Sequence, residues 1–184
     1  MESEATGDIA QHQTLEGAGV TDREAENAPK GLSILVMSSD LDKVLAALII
    51  ANGAAAMEMP VSIFFAFWGI NALRREEAVK VKKGLVERMF GIMMPRGPKR
   101  LKLSRLNMAG MGTFMMKQVM KSKNVSSLEQ LFDMAAENGV EFIACTMSMD
   151  MMGIRKEELR DGVSLGGVAR FLERADQAGI QLVF

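Results

Sequence analysis

The chain has 184 residues, 48% of them hydrophobic, and 22 basic against 23 acidic side chains give a formal net charge of −1. That is enough apolar material for a sizeable core in a domain of ordinary length. A single cysteine excludes an intrachain disulfide, and with it a stapled secreted scaffold.

The near-zero charge hides an asymmetry. Residues 1–28 carry a net −6, and the remainder carries +5. The first segment is rich in Glu, Ala and Gly and holds almost no large apolar residues, so it buries too little surface to offset the entropy of ordering. A disordered acidic tail is expected over 1–29, with Pro29-Lys30-Gly31 marking the boundary of a folded domain over 30–184. The acidic start, lacking an apolar run, does not fit a signal or transit peptide. A basic body with an acidic tail suits an anionic ligand or partner without requiring one.

Leu32–Met37 is a short apolar run and predicts the first strand. Ser38-Ser39-Asp40 then signals a helix start, where Ser39 or Asp40 is expected to cap rather than catalyse. Leu41, Val44, Leu45, Leu48 and Ile49 fall on one helical face, and that helix runs to about Met57. Pro60 ends it. Val61–Phe67 is almost continuously apolar, as in a strand covered on both faces of a parallel sheet. Val44–Leu73 is the nearest approach to a membrane span. Asn52, Glu58 and Pro60 cut it below the ~20 apolar residues a spanning helix needs.

Phe67 to Val140 is too long for one crossover helix, so it must hold extra elements. Glu76–Met94 reads as helical, Pro95-Arg96-Gly97-Pro98 breaks it, Lys99–Asn107 is basic loop or strand, and Met108–Lys121 is helical again. Ser126-x-x-Glu129 is a capping-box sequence before the stripe Leu128, Leu131, Phe132, Ala135, Ala136. Gly139 stops that helix, and Val140–Ala144 is a strand. Ser164 is positioned to cap a last helix carrying Val168, Phe171, Leu172 and Ala175. Gly179 ends it, and Ile180–Phe184 is the final strand. Strand and helix alternate, which argues for an α/β fold with a mostly parallel sheet.

Cys145 sits in Ile143-Ala144-Cys145-Thr146-Met147-Ser148-Met149-Asp150, where a strand turns into a helix. In open parallel sheets that corner is a usual place for chemistry. A helix N-terminus there would favour the thiolate. The competing reading is a small, buried, inert cysteine. With no second cysteine, a CxxC mechanism is excluded, and any sulfur chemistry must hand off to another molecule. Ser38, Ser39 and Asp40, and Trp68, Gly69 and Asn71, also follow strands and are expected at the same sheet edge, with Thr146, Met147 and Ser148 completing a pocket.

Thirteen methionines crowd the stretch from Met89 to Met152. Thioethers can bind Cu(I), but no His or second Cys accompanies them, so core or interface filler is the better reading. Met108–Met120 is expected to form a subunit interface. Arg88, Arg96, Lys99, Arg100, Lys102 and Arg105 form a basic stretch matching no nucleic-acid module, which predicts a solvated loop. There is no nucleotide-binding fingerprint, zinc-ligand set, paired carboxylate or Ser–His–Asp constellation. His12 lies in the acidic tail. No cofactor and no metal site are expected.

Several segments taken together resemble the DsrE/DsrF/DsrH-like family, in its DsrE2-type branch. They are Ser38-Ser39-Asp40-Leu41-Asp42-Lys43, Ile50–Ala56, Phe64-Phe65-Ala66-Phe67-Trp68-Gly69-Ile70-Asn71, Ala144–Asp150 and Gly162–Val168, and the resemblance runs from about Lys30 to Phe184. It implies a flavodoxin-like three-layer α/β fold with an extra helical insertion. It also implies a homo-oligomer, trimer or hexamer, with a cytoplasmic role in sulfur trafficking. The position of Cys145 matches the expected persulfide carrier, a possible sulfurtransferase centre. Expected partners are sulfur donor and acceptor proteins or small thiols, with no nucleic acid and no membrane span. The alternative is a non-catalytic oligomeric interaction or small-molecule-binding subunit with a structural cysteine.

Overall fold

The structure, a computed structural model, describes residues 30–79 and 81–184, without the side chain of Val86; the expected acidic tail lies outside the described residues. Five strands form one sheet in the order β4-β3-β2-β1-β5, and every pairing is parallel. The strands are β1 (Gly31–Val36), β2 (Val61–Phe65), β3 (Glu141–Cys145), β4 (Val163–Gly166) and β5 (Ala178–Val183). The helices are α1 (Leu41–Ala56), α2 (Leu85–Met93), α3 (Met111–Ser122), α4 (Leu128–Glu137), α5 (Thr146–Met152) and α6 (Val168–Gln177), and a 3-10 helix spans Phe67–Leu73.

Alternation along the strands sorts side chains between two faces. Phe65 and Phe142 meet Phe132 of α4 on one face, with centroid separations of 6.2 Å and 5.5 Å from the Phe132 ring. On the same side the Asn52 amide of α1 donates to the Leu131 carbonyl of α4 at 3.0 Å, tying the two helices together. Phe64 points the other way and meets Phe171 of α6 at 5.3 Å. Glu141 shares that face and accepts from Arg170 (2.5 Å) and Arg174 (2.7 Å) of α6. The result is a three-layer α/β fold, as the alternation of elements implies.

Element bounds differ from expectation where tertiary contacts override local pattern. The helix expected over Glu76–Met94 is confined to Leu85–Met93. The chain before it is held open by Lys83, whose ammonium meets the buried carboxylate of Glu158. The capping box on α4 is Ser127 with Gln130, one residue later than the Ser126/Glu129 pair: Gln130 N–H donates to Ser127 Oγ (3.3 Å) and Ser127 N–H donates to Gln130 Oε1 (2.8 Å). Ser164 is not a cap. It lies in β4, and Gly167 occupies the N-cap of α6. Gly179 lies inside β5, and its Cβ position is filled by the Lys30 side chain 2.5 Å away.

Candidate functional site

β1, β2 and β3 lie side by side and run the same way, so the segments following them emerge at one edge. The three groups of candidate residues therefore do converge on one side of the sheet. Ser38-Ser39-Asp40 follows β1, Trp68, Gly69 and Asn71 lie on the 3-10 helix after β2, and Thr146, Met147 and Ser148 open α5 after β3.

Gly69 shows how tightly this edge is built. Its N–H donates to the Met37 carbonyl at 3.1 Å, folding the 3-10 helix over the end of β1. A Cβ at Gly69 would stand 2.3 Å from the Val36 carbonyl oxygen. Only glycine permits this approach. Ser38 Oγ accepts from Asp40 N–H at 3.0 Å, which turns the chain into α1. Asp40 occupies the N-cap position without a side-chain cap bond, and its carboxylate pairs with Lys43 at 3.0 Å. Ser39 is half-buried.

Cys145 is both the last residue of β3 and the N-cap of the seven-residue α5. Alternation from Glu141 and Ile143 places it on the α6 face, in register with Gly166 of β4. It is 2% exposed, surrounded by the packed core. Beside it, Thr146 and Met147 are exposed, and the Thr146 hydroxyl reaches the Gly166 carbonyl at 3.5 Å. Trp68 is 54% exposed. Ser148 and Asn71 are fully buried, and among the described residues neither the Ser148 hydroxyl nor the Asn71 amide nitrogen has a hydrogen-bond partner. Their elements, α5 and the 3-10 helix, pack directly on each other. Two cavities of about 320 and 330 Å³ are lined by other residues. The first is bordered by Leu41, Met120, Leu128 and three lysines, and the second lies at the opposite strand ends around Gly31, Pro60 and Glu141. Among the described residues, no three His, Cys, Asp or Glu side chains gather closely enough to hold a metal ion.

Below this edge lies a group that sequence reading passed over. Arg74 is wholly buried, donating to Asn71 Oδ1 at 3.3 Å and to Glu158 at 3.0 Å. Glu158 is also fully buried and meets Lys83 and Arg96. Burial pushes its carboxyl upward, but the Lys83 ammonium, the Arg155 backbone N–H and the Arg74 guanidinium outweigh it, and the net shift is below the usual glutamate value. Arg96, expected in a solvated loop, is thus largely withdrawn from solvent. The available signal was Arg74 itself, a charge closing the apolar run Phe67–Leu73.

Among the described residues, the insertion between β2 and α4 carries an uncovered apolar face. Met111, Phe114, Met115 and Val119 recur along one side of α3 and are all more than half exposed. No helix among the described residues is long and apolar enough to cross a membrane.

The sequence pattern of the DsrE/DsrF/DrsH-like family matches residues 28–183. YrkE of Bacillus subtilis (strain 168) is 52% identical over 153 residues, covering 83% of this chain and 96% of that protein. A protein of Allochromatium vinosum named sulfur carrier protein DsrE2 is 37% identical over 157 residues, covering 83% and 97%. Among solved structures, the ychN protein from E. coli superposes with a TM-score of 0.49 at 13% identity, over 84% of this chain and 99% of that one.

Proposed function

The chain belongs to the DsrE/DsrF/DrsH-like family, and from that premise we propose that it carries sulfane sulfur as a persulfide on Cys145. The observation that carries the reading is the placement of its single cysteine at the end of β3, where three parallel strands deliver their following segments to one edge. The 37% identity to a protein named as a sulfur carrier supports it. So do two buried polar groups, Ser148 Oγ and Asn71 Nδ2, left without partners on elements beside that strand end. Buried polar groups ordinarily have partners, and an anionic sulfur chain is a suitable one.

In this mechanism the Cys145 thiolate attacks the outer sulfur of a donor persulfide. The donor's S–S bond breaks, a new S–S bond forms on Cys145, and the donor leaves as a thiolate. An acceptor thiolate then attacks the outer sulfur and restores the Cys145 thiolate. First-turn amides of α5, which have no carbonyl partner within the helix, are donors for the charged sulfur. Ser38, Ser39, Asp40, Trp68, Gly69, Asn71, Thr146, Met147 and Ser148 shape the pocket. The thiol is 2% exposed, so transfer requires the rim of α5 to open. The partners are donor and acceptor proteins or small thiols. The protein works in the cytoplasm as a homo-oligomer, the α3 face supplying subunit contact.

That burial also supports a second reading, a non-catalytic subunit with Cys145 as core filler. Intact mass spectrometry under non-reducing conditions separates them. Incubation with a sulfane-sulfur donor adds about 32 Da per sulfur atom to the wild type and nothing to Cys145→Ser. Absence of the adduct, together with native-state alkylation no faster than global unfolding, would establish the structural cysteine.

A further inference from the structure

We propose that Arg74, Lys83 and Arg96 form a binding site for a small divalent oxoanion, seated against Gly91 of α2. Three cationic side chains converge on one carboxylate, Glu158. Arg74 and Arg96 stand 3.0 and 3.3 Å from its Oε2, and the Lys83 ammonium contacts Oε1. Side-chain exposures are 0% for Arg74 and Glu158, 8% for Lys83 and 16% for Arg96. Of the neighbouring carboxylates, Glu87 is matched by Arg155 at 3.2 Å, and Glu76 shares Lys99 (3.1 Å) with Glu129 (2.7 Å). Among the described residues the cluster therefore carries positive charge beyond that of Glu158, only partly offset by Glu76, and largely withdrawn from water.

Excess buried charge is costly unless something opposite in sign accompanies it. The hydrogen-bond inventory points the same way. Among the described residues, Arg74 Nε and Arg96 Nη1 are buried donors without partners, against one orphaned acceptor beside them, Glu76 Oε1. Lys83 and the two guanidiniums can only donate, so what is missing is an acceptor. Gly91 supplies the place. It is buried, and outside its own helix the nearest groups to its absent Cβ are Lys83 Nζ at 3.8 Å and Arg96 Nη2 at 4.0 Å. A side chain is absent at the point where two cations converge. Arginine forks and an ammonium suit a tetrahedral oxoanion.

The site does not depend on Cys145 carrying sulfur, and the test uses the full chain with sulfate, inorganic phosphate and thiosulfate as probes. Thermal unfolding is followed in chloride buffer at constant ionic strength while each probe replaces chloride. Saturable stabilisation of a few degrees is expected for at least one oxoanion, as for any ligand that binds only the folded state. The probe that saturates at the lowest concentration assigns the source as phosphoryl or sulfur oxoanion. Gly91→Ala places a methyl at ordinary contact distance from both cations, so it folds normally but weakens the response at least tenfold. Arg96→Gln removes the response, while Cys145→Ser retains it. A wild-type response no different from chloride, or a response undiminished in Gly91→Ala, overturns the site.

Discussion

Glu158 is the residue on which the packing of the insertion turns. Its two oxygens are divided between four donors: Lys83 and the Arg155 backbone N–H (3.1 Å) on one, Arg74 and Arg96 on the other. Glu158→Gln keeps the shape but strips the carboxylate that pairs with all three cations. Breaking a buried ionic group from one side leaves its partners desolvated and unpaired. The variant is expected to lose about 3 kcal/mol of stability, read as a lower urea midpoint. A change under a few tenths would mean that water reaches the cluster. In the sequence only Arg74, closing the run Phe67–Leu73, hinted at this cluster, because Lys83, Arg96 and Glu158 read there as ordinary charged residues.

Among the elements, α4 offers the cleanest local test. Its N-terminus is closed reciprocally by Ser127 and Gln130. Ser127→Ala should cost about 1 kcal/mol, while Ser126→Ala should cost almost nothing because it is outside the box. Chemical denaturation of the two variants distinguishes them, and the reverse order would reinstate the register read from the sequence. The amphipathic stripe of α4 was legible because Leu128, Leu131, Phe132 and Ala135 repeat on one face and are all buried. The cap was not, because Ser126-x-x-Glu129 and Ser127-x-x-Gln130 satisfy the same pattern and only the turn geometry chooses. β4 went unread for a related reason. Four residues ending in glycine carry too little alternation to announce a strand, and pairing with β3 makes Val163–Gly166 one. The helix over Glu76–Met94 begins only at Leu85, just after Lys83 has turned in to meet Glu158.

For the molecule as a whole, the convergence of three strand ends was legible, since parallel order follows from alternating strands and helices. The burial of Cys145 was not, because it depends on how α5, α6 and the core close around the end of β3. The same assembly sets the response to acid. Burial raises the Glu141 carboxyl, but Arg170 and Arg174 of α6 outweigh it, so its folded pKa, like that of Glu158, lies below the usual glutamate value. A carboxylate with a depressed folded pKa contributes stability that is fully present above its unfolded value and lost as pH falls through the folded one. Melting temperature should therefore hold from pH 7 down to about 5 and fall steeply below 4. Glu141→Gln should flatten part of that fall, and an unchanged profile would show that the α6 ion pairs contribute little. A last consequence comes from every strand pairing among the described residues being parallel. Those residues offer no tight hairpin to nucleate the sheet, and β1 gains one of its two neighbours only when Ala178–Val183 arrives from the far end of the described chain. Early collapse must proceed without that pairing, so contact order rather than local propensity governs how fast this fold is reached.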